Sequence, residues 1–458
     1  MWTERNLSAS EAMMWRLESD PQLTSTVANV TFLDRPADLD ALRRRMDRAA
    51  HLVPRLRRRV VTPSSPLQSP RWADDPEFHI NHHVVALHLP AGSTDADVLN
   101  IAAEASVEPF DLSHPLWKFI VIDGLRGGRG AVVQKIHHSV ADGEGLILLS
   151  LHFLDLTRDA PEPPPVDAVA EDDEPADHDM RDLLFDPIRV ASSISRRLVE
   201  IAAQPERLTT LATESIDTVR AIASQISQSA TPLSPLWTER SAMRSLQVLR
   251  VPFAEARAAA ARLGGTINAL LVTAAADGAG RYHRSMGAAV ESLRTSMAVS
   301  TRHETSGANA FALTRLTVPT GVMRPAQRFA AVNAEATRAR TLVSGSGAPS
   351  LDTLASLAAV VPTPLLVRLA RQQTGSVDFA TSNVKAAPFT CYMAGAQIMS
   401  NHPVGPLMGT AFNMTLLSYN SSLDIGINID ARAVSDPTLL RTCVNRSFSS
   451  LLRAGTSR

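Results

Sequence analysis

The sequence predicts an α/β protein made of two similar halves, and three observations lead to this prediction. The chain has 458 residues, which is more than one typical hydrophobic core requires. Runs of alternating, β-prone residues, such as 27–33, are separated by segments of helical periodicity, such as 38–50. The order of these strands and helices roughly repeats in the second half. We therefore expect two domains, each containing both strands and helices.

A shift in composition marks the boundary between the halves. Residues 161–165 read Pro-Glu-Pro-Pro-Pro and residues 171–175 are acidic, and such a segment cannot pack a core. A long helical pattern follows at 181–229. The predicted organisation is a first domain at 1–160, a linker with connecting helices at 161–239, and a second domain at 240–458.

Each predicted element of the first half has a recognisable start or period. Ser8 precedes a helical pattern at 7–18 and is a typical N-cap. The other elements follow hydrophobic periods of 2 or 3.6 residues. They are strand 27–33, helix 38–50, strand 78–89, helix 95–106, strand 118–122 and strand 131–136.

The second half shows the same alternation. Thr266 is a typical cap for a helix that follows Gly264-Gly265. The remaining segments again follow the periods of strands and helices. They are strand 246–251, helix 253–263, strands 293–299 and 311–318, helix 327–342, the apolar segment 354–370, strands 408–417 and 423–429, and helix 436–452.

Composition excludes several classes of protein. The formal net charge is −1 and 20% of the residues are charged, which argues against nucleic acid as the main partner. Two cysteines, Cys391 and Cys443, are too few for a disulfide scaffold and fit a reducing interior. No signal-peptide pattern follows Met1, and no run of about 18 apolar residues predicts a membrane span. We expect a cytoplasmic protein, with peripheral contact to a membrane or lipid droplet left open.

Residues His137 to Gly143, which follow Ile136, read HHxxxDG and lie where a predicted strand ends and a predicted helix begins. Successive side chains of a strand point to opposite faces, so one imidazole can pack inward while the other faces a cavity. A neutral imidazole can act as a general base toward a hydroxyl group. Asp142 can fix the loop or a histidine tautomer, and Gly143 begins the helix and permits close backbone approach.

Two other interpretations of the histidine pair are open. In the first, His137 and His138 are core residues followed by an ordinary Asp-Gly turn. In the second, they bind a metal ion together with Asp142. The metal interpretation is weaker because adjacent histidines on a strand diverge, and no third histidine or cysteine is placed to complete a site.

The motif resembles that of the acyl-CoA-dependent acyltransferases related to chloramphenicol acetyltransferase and to peptide-synthetase condensation domains. Nearly the whole chain resembles the bacterial wax ester synthase/diacylglycerol acyltransferase branch. Pro115-Leu116-Trp117 resembles the PLW motif of that family, and Ser382-Asn383-Val384 resembles its Ser-Asn-Val-Pro motif. Two departures stand out: Lys385 replaces the proline, and Asn268 is followed by Ala269 where the family has aspartate.

The resemblance implies a fold, a reaction and a set of roles. The fold would be two chloramphenicol-acetyltransferase-like α/β sandwich domains that form a pseudo-dimer with the active-site channel at their interface. The reaction would transfer an acyl group from acyl-CoA to a lipid alcohol such as diacylglycerol, with no metal or organic cofactor. His138 would be the base and His137 would orient it. By analogy with condensation domains, Arg57 would pair with Asp142 in a structural role.

The resemblance leaves further roles open. Pro115, Leu116 and Trp117 would support the core or the acyl channel. Ser382, Asn383 and Val384 would either donate hydrogen bonds to a developing oxyanion or order the strand. Asn268 would lie at a substrate-binding helix start, where the missing carboxylate either weakens activity or matters little. Alternative functions are transfer to another lipid or polyketide acceptor, and a catalytically impaired lipid-binding homologue.

Overall fold

A computed structural model describes residues 5–62, 70–162, 231–300, 311–345, 355 and 361–455. Most of the predicted linker, including the helical pattern at 181–229, lies outside the described residues, as does part of the apolar segment 354–370. The described parts of 1–165 and of 231–458 pack together as one unit.

Fifteen strands are described, and most begin and end close to the predicted β-prone runs. They are β1 Thr26–Leu33, β2 Arg58–Val61, β3 Arg71–Asp74, β4 Val84–Ser93, β5 Trp117–Leu125, β6 Arg129–His137, β7 Leu154–Asp155, β8 Arg244–Pro252, β9 Ser292–Ser300, β10 Phe311–Pro319, β11 Phe379–Lys385, β12 Tyr392–Met393, β13 Ala396–Val404, β14 Phe412–Tyr419 and β15 Ser422–Asp430. The predicted strand 78–89 begins only at Val84.

Ten α-helices are described, several of them capped as the sequence suggests. Ser8 caps α1 in a capping box with Glu11, and Thr266 caps α7. The helices are α1 Ala9–Leu17, α2 Leu39–Leu52, α3 Ile80–His83, α4 Asp95–Val107, α5 Gly143–Ser150, α6 Phe253–Arg262, α7 Ile267–Ser285, α8 Pro325–Gly345, α9 Thr363–Gly375 and α10 Pro437–Ala454.

The first sheet has seven strands in the order β4-β5-β6-β1-β13-β12-β7. Its centre is antiparallel, and β1 pairs with β6 so that Thr26 lies opposite His137. Strands β12 and β13 come from the second half of the chain and pair next to β1. The second half therefore completes the sheet that carries the histidine motif.

The second sheet has six strands in the order β10-β9-β11-β14-β15-β8. Strand β11 runs parallel to both of its neighbours, β9 and β14. Helix α7 packs against this sheet and against α10, with its residues 269–280 buried. Gly280 is required there, because a Cβ atom would lie 2.1 Å from the Thr320 carbonyl oxygen.

Apolar packing joins the two sheets. Helix α4 buries Val98 and Ala102 against one face of the first sheet, and the same cluster includes Leu246 of β8. Helix α2 covers the opposite face with Leu42 and Met46. The mixed α/β architecture, with two large sheets and a two-stranded sheet of β2 and β3, confirms the predicted fold class. No described helix is by itself long and apolar enough to cross a membrane; α6 and α7 reach that composition only as a pair bent by 91°.

Candidate active site

The histidine motif lies where β6 ends and α5 begins. Asp142 is buried and caps α5, because its Oδ1 accepts a hydrogen bond of 2.7 Å from the Gly145 backbone N–H. The two histidines differ in burial: His137 is 1% exposed, whereas His138 is half-buried. The imidazole of His137 therefore points into the protein interior, whereas that of His138 is partly exposed to solvent.

Both ring nitrogens of His137 have partners. Nδ1 lies 2.6 Å from the Ser139 hydroxyl oxygen and accepts from the Ser139 backbone N–H at 3.1 Å. Nε2 lies 3.1 Å from Oε2 of Glu18. The rings of Trp15 and Phe110 stand edge-on to the imidazole, with centroids at 6.4 and 6.5 Å. Because His137 is fully buried and His138 is partly exposed, His138 is the candidate base.

The backbone of His138 is fixed by the turn that follows α1. Its N–H donates to the Ser25 carbonyl oxygen at 3.0 Å. The Ser25 N–H in turn donates to Oε2 of Glu18 at 2.9 Å. The backbone N–H and C=O of Ser25 therefore connect the main chain of His138 to the carboxylate that contacts the ring of His137.

A buried ion pair between Arg55 and Glu11 contacts the motif loop. Arg55 is fully buried, and its Nη1 donates to the Ser139 carbonyl oxygen at 3.1 Å and to Glu11 Oε1 at 2.5 Å. The sequence nominates Arg57 as the partner of Asp142, and the Arg57 guanidinium lies over the Phe78 ring at 5.4 Å. Arg55, which the sequence analysis did not single out, contacts the motif loop at Ser139 and is called the loop arginine below. The turn at Pro54–Leu56 explains the difference, since it directs Arg55 inward and ends at Arg57.

The segment Pro115-Leu116-Trp117 is buried beside the motif strand. The Leu116 carbonyl oxygen accepts from the His137 backbone N–H at 2.9 Å, and the Trp117 indole N–H donates to the Leu56 carbonyl oxygen at 2.9 Å. Between the two roles foreseen for this segment, these contacts favour support of the core.

Strand β11 brings the second half of the chain to the motif. A Cβ atom at Gly143 would lie 3.2 Å from Cγ2 of Val384, so the two residues are in close contact. Ser382 shares the strand face of Val384, whereas Asn383 lies on the opposite face and is exposed. Of these two polar residues, Ser382 is the one on the side of the motif.

Asn268 lies in the first turn of α7, and its amide donates to the sulfur of Met297 on β9 at 2.9 Å. The Thr266 hydroxyl accepts from the Ala269 backbone N–H at 3.2 Å. The start of α7 is therefore ordered without the carboxylate that the family has at position 269. The contact with Met297 ties Asn268 to the second sheet, not to the histidines.

Charge near the motif is balanced between Glu18 and Lys135. Burial alone would raise the pKa of Glu18, but the hydrogen bonds from His137 and Ser25 outweigh burial and lower it. Lys135 is 2% exposed, donates to the Glu108 carbonyl oxygen and lies 4.2 Å from the centre of the Phe110 ring. Burial lowers the pKa of Lys135 to about 8.

Within the described ranges, no group of three or more His, Cys, Asp or Glu residues could hold a metal ion.

Family models match both halves of the chain. The wax ester synthase/diacylglycerol acyltransferase catalytic domain matches residues 7–271, and the C-terminal domain of the same family matches residues 307–452. The chain belongs to the wax ester synthase/diacylglycerol acyltransferase family. The predicted family and the predicted acyltransferase activity are thereby confirmed.

Individual relatives extend over nearly the full length of this acyltransferase. A protein of Mycobacterium tuberculosis, provisionally named a diacylglycerol O-acyltransferase, is 29% identical over 97% of this chain and 91% of its own. Among solved structures, the wax ester synthase/diacylglycerol acyltransferase of Marinobacter aquaeolei VT8 has a TM-score of 0.68 at 18% identity, covering 99% and 100% of the two chains. The first condensation domain of the calcium-dependent antibiotic synthetase has a TM-score of 0.59 at 15% identity, covering 99% and 97%.

Three supporting residues of the acyltransferase were absent from the sequence-based site. Glu11 and Glu18 belong to or directly follow α1, and Arg55 belongs to the turn after α2. The available signal was the opening helix at 7–18, which resembles the opening helix of the family. Charged residues within such a short helix do not by themselves reveal that they meet a motif more than a hundred residues away.

Proposed function

We propose that this acyltransferase moves a fatty acyl group from acyl-CoA to the hydroxyl of a lipid alcohol. Diacylglycerol would yield triacylglycerol, and a long-chain alcohol would yield a wax ester. The observation that carries the proposal is the division of labour in the motif: His137 is buried with both nitrogens engaged, and His138 is half-buried at the loop. The diacylglycerol O-acyltransferase name of the mycobacterial relative supports the acceptor class.

The reaction needs a base and two substrates. The imidazole of His138 takes the proton of the acceptor hydroxyl as its oxygen attacks the thioester carbonyl carbon. The new C–O bond forms, the C–S bond breaks, and the thiolate of coenzyme A receives the proton from the imidazolium. The products are an ester and free coenzyme A, and the base returns to its neutral form. General-base assistance of this kind is worth roughly 10²–10⁴ in rate.

Ser382 is the residue we assign to the developing oxyanion. It lies on the face of β11 that carries Val384, which contacts Gly143 at the start of α5. A hydroxyl on that face can donate to the thioester oxygen as negative charge builds, and one such donor is worth roughly 10²–10³ in rate. Asn383 faces away and would instead order the strand.

We further propose that the acceptor is collected from a lipid surface. Three leucines near the end of α5 and just beyond it are exposed, with Leu148 at 43% and both Leu151 and Leu156 at 70%. Exposed leucines so close to the motif helix are suited to contact acyl chains. A cytoplasmic protein with peripheral lipid contact is consistent with the free, buried Cys391 and Cys443.

A lipid-binding homologue that has lost catalysis is the second candidate. The observations in its favour are Ala269 and Lys385, each of which replaces a residue that the family pattern contains. Against it stands the capped start of α7, which Thr266 orders without a carboxylate.

Release of free coenzyme A from palmitoyl-CoA separates the two candidates. We would measure it with a thiol reagent in the presence of diacylglycerol, hexadecanol or no acceptor. If the proposal is right, coenzyme A is released only when an acceptor is present, and the rates of release rank the two alcohols. Binding of palmitoyl-CoA without release under any of the three conditions would instead support the lipid-binding homologue.

A further inference from the structure

Glu18 contacts a histidine of the motif although it lies outside the HHxxxDG sequence. It directly follows α1 and lies 119 positions before His137 in the chain, yet its Oε2 is 3.1 Å from His137 Nε2. The side chain of Glu18 is 20% exposed and that of His137 is 1% exposed, so the contact is largely shielded from water.

The hydrogen bonds around His137 determine which ring nitrogen carries the proton. The backbone N–H of Ser139 can only donate, and it points at Nδ1 from 3.1 Å. Nδ1 is therefore the acceptor, and in a neutral imidazole the proton lies on Nε2. That N–H then donates to the carboxylate of Glu18, which lacks a proton of its own to offer.

One oxygen of Glu18 is connected to both motif histidines, directly to His137 and through Ser25 to His138. Oε2 accepts from His137 Nε2 and also from the Ser25 backbone N–H at 2.9 Å. The carbonyl oxygen of the same Ser25 accepts from the His138 backbone N–H at 3.0 Å. Moving this one carboxylate oxygen would disturb the ring of His137 and the main-chain position of His138 together.

We propose that Glu18 is a positioning residue: it accepts the Nε2–H of His137 and so holds the ring in place, and through Ser25 it sets the place of His138 in the loop. The inference rests on the proposed function only for its kinetic consequence. The hydrogen bond itself is a property of the folded protein. Glu18 touches neither substrate, and its role is to hold the groups that do the chemistry.

Two substitutions of Glu18 separate its role as a hydrogen-bond acceptor from the effects of its side-chain volume and its charge. In Glu18→Gln the amide oxygen can take the place of Oε2 and accept both N–H groups, whereas Glu18→Ala removes the acceptor altogether. Misplacement of a catalytic group by about 1 Å costs on the order of 10²-fold in rate. We expect kcat to fall on the order of 10²-fold in Glu18→Ala and less than about tenfold in Glu18→Gln, with KM for acyl-CoA nearly unchanged in both.

The matched control is Glu104→Ala, which removes an exposed carboxylate from α4. The tautomer is read by ¹⁵N spectra of histidine-labelled protein, with the His137 signal assigned by its loss in His137→Gln. Because the Ser139 backbone N–H still meets Nδ1, we expect the Nε2–H form in every variant. The Nε2–H proton signal, which lies downfield when a carboxylate accepts the hydrogen bond, should move upfield in Glu18→Ala and keep its wild-type position in Glu104→Ala. This readout needs no turnover, so it stands even if no acceptor supports release of coenzyme A.

The proposal is overturned if Glu18→Ala keeps the wild-type Nε2–H signal or the wild-type kcat. It is also overturned if Glu18→Gln loses as much activity as Glu18→Ala, because positioning through the shared oxygen predicts rescue by the amide. A thermal melt of each variant separates these outcomes from loss of the folded state, and Glu18→Gln keeps the test decisive if Glu18→Ala does not fold.

Discussion

Replacing Arg55 by alanine removes the cation from a pair that solvent does not reach. The side chains of Arg55 and Glu11 are 0% and 1% exposed, with Nη1 and Oε1 2.5 Å apart. Glu11 would keep its bond to the Ser8 backbone N–H but lose its guanidinium partner. Breaking a buried ion pair from one side costs about 3–5 kcal/mol, because the remaining charge stays buried without compensation. We expect a loss of that size in the free energy of unfolding.

The matched control is Arg57→Ala, two residues along the same turn. Its guanidinium stacks on Phe78, and a half-exposed cation–π contact is worth about 0.5–1 kcal/mol. Denaturant unfolding of the two variants measures both losses. Arg55→Ala should also lower kcat, since the Ser139 carbonyl oxygen loses its donor. A loss of less than 1 kcal/mol in Arg55→Ala, or a larger loss in Arg57→Ala, would refute the assignment of Arg55 as the loop arginine.

Three further perturbations probe other parts of the site. Gly143→Ala would place a Cβ 3.2 Å from Val384, so we expect kcat to fall several-fold and to recover in the double variant with Val384→Ala, as steady-state kinetics would show. Burial lowers the pKa of His83 to about 4, so between pH 6.5 and 4 the unfolded chain binds a proton that the folded chain does not. Wild-type stability should therefore fall as the pH falls through that window, and His83→Phe should flatten the decline in denaturant titrations. Replacing Leu151 and Leu156 by Ser should weaken sedimentation with diacylglycerol-containing phosphatidylcholine vesicles while leaving turnover in detergent unchanged.

Local patterns were sufficient to predict the elements that carry the motif. The β-prone run before Ile136 and the apolar run after Gly143 gave a strand and a helix, and Asp142 caps that helix as a short carboxylate commonly does. The predicted strand at 78–89 failed at its start. Residues 80–83 form a helical turn instead, with the His79 ring accepting from the Asn81 backbone N–H.

Contacts between distant residues could not be predicted in the same way. The choice between Arg55 and Arg57 depends on the direction in which a short turn points each side chain. Both residues are arginines with similar sequence neighbours, so the sequence does not distinguish them. The pairing of β13 with β1 joins residues separated by more than 360 positions, and no period in the sequence encodes it. Glu18 poses the same difficulty, because its partner becomes visible only once α1 is packed against the motif strand.

The assignment of His138 as the base is tested most directly by comparing the turnover of His138→Ala with that of His82→Ala, since His82 is an exposed histidine in α3. Release of coenzyme A from palmitoyl-CoA in the presence of the better acceptor is measured for both, together with binding of palmitoyl-CoA. We expect His138→Ala to bind palmitoyl-CoA as wild type does but to turn over roughly 10²–10⁴-fold more slowly, whereas His82→Ala should match wild type. A His138→Ala variant with wild-type turnover would contradict the assignment of His138 as the base.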